Sequence, residues 1–88
     1  MKLLKFYADW CQPCKMLSRV IEDSKADIDS LMINIEEIDI DNDMDTARKY
    51  NVRGVPTLIL VEDSGEEVRR KSGYMNENEL IRFVEGRD

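Results

Sequence analysis

Cys11 and Cys14 are the only cysteines of the chain, and they stand where a strand-like run gives way to a helix-like one. Upstream, Leu3 to Ala8 is apolar at most positions, the pattern of a central strand covered on both faces. Downstream, Met16/Val20 and Leu17/Ile21 recur at helical spacing and predict the buried stripe of a helix from about Cys11 to Ala26. A strand that enters a helix through Cys-Gln-Pro-Cys leaves few architectures open. Two intervening residues let both sulfurs meet within one helical turn. The helix N-terminus adds unpaired N–H groups and a partial positive charge that favour a thiolate. Reversible thiol–disulfide exchange is the chemistry served by this placement.

Two other uses of the pair compete with that reading. Half of a zinc site would need carboxylates or a second chain to complete it, because the sequence holds no histidine and no third cysteine. Two inert core cysteines would be the other, but Pro13 inside the pair and Trp10 beside it suit a fixed, exposed turn. No metal and no cofactor are expected. Two cysteines cannot staple a secreted scaffold, so stability must come from packing. The net charge of −6 argues against nucleic acid or an anionic membrane as partner. No apolar stretch approaches transmembrane length. Lysines interrupt the leucines of Met1-Lys2-Leu3-Leu4-Lys5, unlike the apolar core of a signal peptide, and a cytoplasmic, reducing location is expected.

The remaining pattern predicts a single α/β domain over residues 1–88 in the order βαβαββα, a four-stranded mixed sheet flanked by three helices. Leu31 to Ile40 holds the second strand, with Ile38 and Ile40 opposite Glu37 and Asp39. Asp41, Asn42 and Asp43 offer caps for a short helix ending near Tyr50. Thr57 to Val61 is the third strand, turned by Asp63-Ser64-Gly65 into a fourth at about Glu66 to Lys71. Asn76 and Glu79 have capping-box spacing and open a last helix that buries Leu80, Phe83 and Val84. The first two strands, joined by a helical crossover, should run parallel. Asp39, Asp41, Asp43 and Asp45 alternate like the start of a calcium loop, but Met44 and Tyr50 stand where such a loop needs glycine and glutamate. They are expected to be caps and a solvated strand end.

Phe6-Tyr7-Ala8-Asp9-Trp10-Cys11-Gln12-Pro13-Cys14-Lys15 and Tyr50-Asn51-Val52-Arg53-Gly54-Val55-Pro56-Thr57, with Asp39-Ile40-Asp41 and Gly73 at the expected intervals, give the chain a resemblance to the thioredoxin family over essentially its full length. The resemblance implies a thioredoxin-like fold and a protein-disulfide reductase. Cys11 would be the exposed attacking thiolate and Cys14 the buried resolving thiol. Pro56 would be cis, with the Val55 backbone beside the sulfurs to pair with an extended substrate segment. Trp10, Gln12, Pro13, Gly54 and Gly73 would complete the substrate surface, although an aromatic beside a turn can equally be a packing residue. Partners would be disulfide-containing target proteins and a thioredoxin reductase or glutathione as electron donor, with the protein acting as a monomer.

The chain also departs from the family pattern. There is no room before Leu3 for the additional strand and helix of typical thioredoxins, so a minimal form close in topology to glutaredoxin is expected. Gln12 replaces a usual glycine, and Ser18 replaces a usual mid-helix proline, which predicts less kinking. Lys5 and Glu37 occupy the positions of a buried aspartate and its lysine partner. They predict a charge-reversed, partly buried ion pair behind Cys14, in which Glu37 could take the Cys14 proton. Alternatively, Lys5 carries its head out to solvent along a packed stem. A glutaredoxin-like, glutathione-dependent reductase and a non-catalytic binding or assembly subunit remain alternatives. The former usually has proline first and tyrosine second between the cysteines and lacks the flanking tryptophan.

Overall fold

The computed structural model describes residues 1–87. Its elements are β1 (Lys2–Tyr7), α1 (Gln12–Asp23), α2 (Lys25–Ser30), β2 (Asn34–Asp39), α3 (Met44–Lys49), β3 (Thr57–Val61), β4 (Glu67–Ser72) and α4 (Glu77–Glu85). They build one mixed sheet in the order β2-β1-β3-β4, with β1 and β2 parallel and the other two pairings antiparallel. The side-chain period of a strand sends Leu3 to one face of the sheet and Leu4 and Phe6 to the other. Leu3, Leu58 and Leu60 pack with Leu17 and Ile21 of α1, Ile28 of α2 and Leu80, Phe83 and Val84 of α4. Leu4, Phe6, Ile59 and Val61 pack with Ile38 and with Ala47 of α3. Apolar runs in β1 and β3 are thus explained by burial on both faces.

The helix expected to run to Ala26 is two helices, so among the described residues the sheet carries four rather than three. Ser24 interrupts it at φ −99°, ψ 5°, with its N–H shared between the Val20 and Ile21 carbonyls. The bend swings Ile28 into the core beside Ile33. No glycine or proline marks this break. Cys14, Leu17 and Ile21 form the buried stripe of α1, whereas Met16, expected in that stripe, is exposed. Cysteine fills the i−3 position above Leu17 and turns Met16 outward.

β2 begins at Asn34 rather than Leu31, because Leu31 and Met32 belong to the end of α2. Met32 adopts φ 60°, its N–H bonds the Asp29 carbonyl, and the Ile33 N–H reaches back to Ile28. That is the paired-bond helix stop in which glycine usually takes the left-handed position. The same geometry ends α3, with Asn51 at φ 54° and Val52 N–H bonded to the Ala47 carbonyl. The expected caps are in place at the other ends: Asp43 accepts from Thr46 N–H, and Asn76 and Glu79 form a reciprocal capping box.

Candidate functional site

The site lies where β1 ends, α1 begins and β3 is entered. Cys11 is the N-cap of α1, in extended conformation at φ −91°, ψ 105°. Its N–H bonds the Ala8 carbonyl at 3.1 Å, which closes the turn. The Cys14 N–H points at Cys11 Sγ, 3.1 Å away, so a backbone donor of the first helical turn serves the sulfur directly. Pro13 sits in that same turn, where a missing N–H costs the helix nothing. Cys11 and Cys14 are joined as a disulfide with their Cα atoms 5.2 Å apart.

Cys11 is not the exposed residue that the resemblance implied: it is 4% accessible, against 2% for Cys14. The reason is packing. Ala8 and both cysteines form a small apolar cluster onto which Tyr7, Ile40 and Val55 close. Gln12, Pro13 and Lys15 around it are exposed, so the disulfide lies in a shallow pit.

The Val55–Pro56 peptide bond is cis, and Val55 packs against the two cysteines. Pro56 is buried and Gly54 exposed. Gly73, at φ 93°, donates its N–H to the Pro56 carbonyl at 2.8 Å and so ties the end of β4 to the site loop. Trp10 is 70% exposed, which removes the packing alternative. Its indole N–H donates to Asp41 Oδ2 at 3.0 Å, an anchor between the β1–α1 and β2–α3 connections. The backbone N–H of Asp41 in turn bonds Asp39 Oδ1 at 3.0 Å. The alternating aspartates thus serve turns, a cap and the Trp10 anchor.

Behind Cys14, the parallel register sets Lys5 directly opposite Glu37. Lys5 Nζ lies 3.7 Å from Glu37 Oε1; the lysine side chain is 3% exposed and the glutamate 58%. Lys5 therefore does not carry its head to solvent. It also donates to Ser18 Oγ, which in turn donates to the Cys14 carbonyl at 3.0 Å. A cavity of about 140 Å³ is lined by Lys5, Tyr7, Asp9, Cys14, Ser18 and Glu37, among others. Partial burial, then Asp39, Glu37 and Asp9 in turn, push the Tyr7 phenol above its ordinary value. Sequence reasoning missed Ser18 as the lysine's partner and Asp41 as the tryptophan's, because both depend on distances of 13 and 31 residues along the chain.

A model of the thioredoxin family matches residues 1–86. The thioredoxin of Chlamydia caviae is 42% identical over 82 residues, spanning 93% of this chain and 78% of that one. The thioredoxin of Staphylococcus saprophyticus is 39% identical over 83 residues, 94% of this chain and 78% of that one. A mutant thioredoxin from Halobacterium salinarum superposes with a TM-score of 0.84 at 41% identity, covering 97% of this chain and 72% of that chain.

Proposed function

The chain belongs to the thioredoxin family and is a thioredoxin-type thiol–disulfide oxidoreductase; from that premise we propose that Cys11 is its attacking nucleophile and Cys14 its resolving thiol. Family membership brings disulfide-containing proteins as targets and a reductase as the source of electrons. The observation that carries the assignment of roles is the Cys14 N–H aimed at Cys11 Sγ from the first turn of α1. A thiolate at Cys11 would keep that donor and gain the helix dipole, whereas Cys14 lies one turn deeper.

In the forward reaction, the Cys11 thiolate attacks one sulfur of a target disulfide. The target S–S bond breaks, the mixed disulfide forms, and the other target sulfur leaves as a thiolate that takes a proton. Cys14 then gives up its proton and attacks Cys11 Sγ, which releases the second target sulfur. Two electrons have passed from the dithiol to the target, and the Cys11–Cys14 disulfide remains. Glu37, across the shared cavity, is the proposed acceptor of the Cys14 proton.

Trp10, Gln12, Pro13, Gly54, Val55, Pro56 and Gly73 are proposed to form the target surface. Support comes from the exposed Trp10 ring and from Val55 packed on the cysteines, where an extended segment could add main-chain hydrogen bonds. A thioredoxin reductase rather than glutathione is the proposed donor, the enzyme works as a monomer, and a cytosolic, reducing compartment would keep the pair recharged. Cys11→Ser should abolish insulin reduction, and Cys14→Ser should accumulate a mixed disulfide with the target. Full activity in Cys11→Ser would refute the assignment.

A further inference from the structure

We propose that Lys5 is an electrostatic positioning residue for the resolving step: its buried ammonium holds the charge of Cys14 once the disulfide is reduced. The proposal rests on the reading of Cys14 as the resolving thiol. Among the described residues, Lys5 is the only charged side chain that is buried. It stands in the middle of the central strand, where an ammonium is costly unless its surroundings compensate it.

Those surroundings compensate it only in part. Glu37 is 3.7 Å away but more than half exposed, so much of its field goes into water. Ser18 Oγ is a neutral acceptor, and the Tyr7 ring lies 5.3 Å from Nζ. On the other neighbouring strand, Lys5 is paired with Leu58, which carries no charge. Cys14 lines the same cavity as the ammonium. Ser18 links the two residues, since it accepts from Lys5 while donating to the backbone carbonyl of Cys14.

The other ionisable groups around that cavity are Tyr7 from β1, Asp9 from the β1–α1 connection, Lys15 from α1 and Glu37 from β2. Asp9 and Lys15 are exposed and of opposite sign, so their screened contributions at Cys14 largely cancel. Tyr7 is held neutral by burial and its acidic neighbours. Lys5 and Glu37 are left to oppose each other, and the buried charge of the two acts through the lower dielectric. The sign at Cys14 is therefore positive, and a thiolate is favoured there.

The disulfide carries no charge. Its reduction takes up two electrons and, where one sulfur remains ionised, a single proton. Lys5 then has an anion to meet only in the reduced form and in the mixed disulfide, when Cys14 is free. Two effects follow: the Cys14 proton leaves more readily during resolution, and the couple is shifted toward the dithiol, making it more oxidising.

The test uses Cys11→Ser protein, in which Cys14 is the only thiol, and follows its thiolate absorbance against pH. Adding Lys5→Met should raise the Cys14 midpoint by about one pH unit, a tenfold loss of thiolate at a fixed pH below it. Adding Glu37→Gln should move the midpoint down, because the opposing carboxylate is gone. In the protein with both cysteines, Lys5→Met should lower the reduction potential by up to about 30 mV, the equivalent of tenfold for a two-electron couple. An unchanged or lowered midpoint with Lys5→Met overturns the proposal. If Lys5→Met does not fold, Lys5→Gln is measured in its place, and an unraised midpoint there overturns the proposal; a raised midpoint with Glu37→Gln overturns it as well. Failure of the functional reading shows separately, as insulin reduction by Cys11→Ser.

Discussion

Replacing Met32 by glycine and by alanine should invert the usual order of these two residues in stability. In a helix interior glycine is worse than alanine by roughly 0.5–1 kcal/mol. Met32 instead occupies φ 60° at the stop of α2, with Met32 N–H bonded to Asp29 and Ile33 N–H to Ile28. An L-residue in that region sits about 1–2 kcal/mol above glycine. The extra freedom of glycine in the unfolded chain returns about 0.4–1 kcal/mol. The balance leaves Met32→Gly more stable than Met32→Ala by about 0.5–1 kcal/mol. Both variants discard the same methionine side chain, which is 84% exposed, so its small packing contribution drops out of the comparison. For a chain of this size the difference amounts to roughly 3–6 °C in Tm. Urea and thermal denaturation of the oxidised protein measure it, with the urea slope checked for constancy. Alanine equal to or better than glycine at this position would refute the reasoning.

Gly73→Ala should destabilise by about 1 kcal/mol and slow insulin reduction, because φ 93° is lost to strain although an added Cβ meets nothing within 4 Å; Gly54→Ala, with equal space and no such φ, should leave denaturation unchanged. Arg70, hydrogen-bonded to Glu67, holds that carboxyl below its ordinary value against the opposing effect of burial. A depressed carboxylate stabilises the fold above its unfolded value near 4.5, and this stability is lost as pH falls through the lower folded value. Glu67→Gln should therefore flatten the acid limb of stability in that window and nowhere else. Asp41→Ala should free the Trp10 indole, visible as a change in tryptophan fluorescence, and raise KM for protein disulfides a few-fold while reduction of a small disulfide stays constant.

The succession of strands and helices along the chain, the hairpin at Asp63-Ser64-Gly65 and the capping box at Asn76 were legible because each rests on a pattern within a few residues. The Cys11–Cys14 pair was legible for the same reason, since spacing alone brings the sulfurs together. The break at Ser24 was not, because nothing local disfavours a continuous helix there; burial of Ile28 decides it. Leu31 and Met32 looked like strand residues by composition, yet they end a helix in a position that glycine more often holds. The pairing of Lys5 with Glu37 could be guessed from the resemblance, but the burial of the lysine follows from a β1 covered on both faces. Cys11 was expected to be open and is nearly closed over, because Val55 and Ile40 arrive from parts of the chain that only the folded sheet brings near.

β1 has a neighbour on each side and a packed layer on each face, so it has no edge from which to fray. Amide hydrogens of Leu3 to Phe6 should exchange with solvent only when the whole domain opens. The redox turn is the direct continuation of this strand, and Lys5 is part of it. The reacting sulfurs are thus mounted on the last segment to come apart, while the loops that meet a target hang from its outer end. Chemical turnover and conformational opening then run on separate clocks: a molecule can cycle between dithiol and disulfide many times within a single lifetime of its central strand.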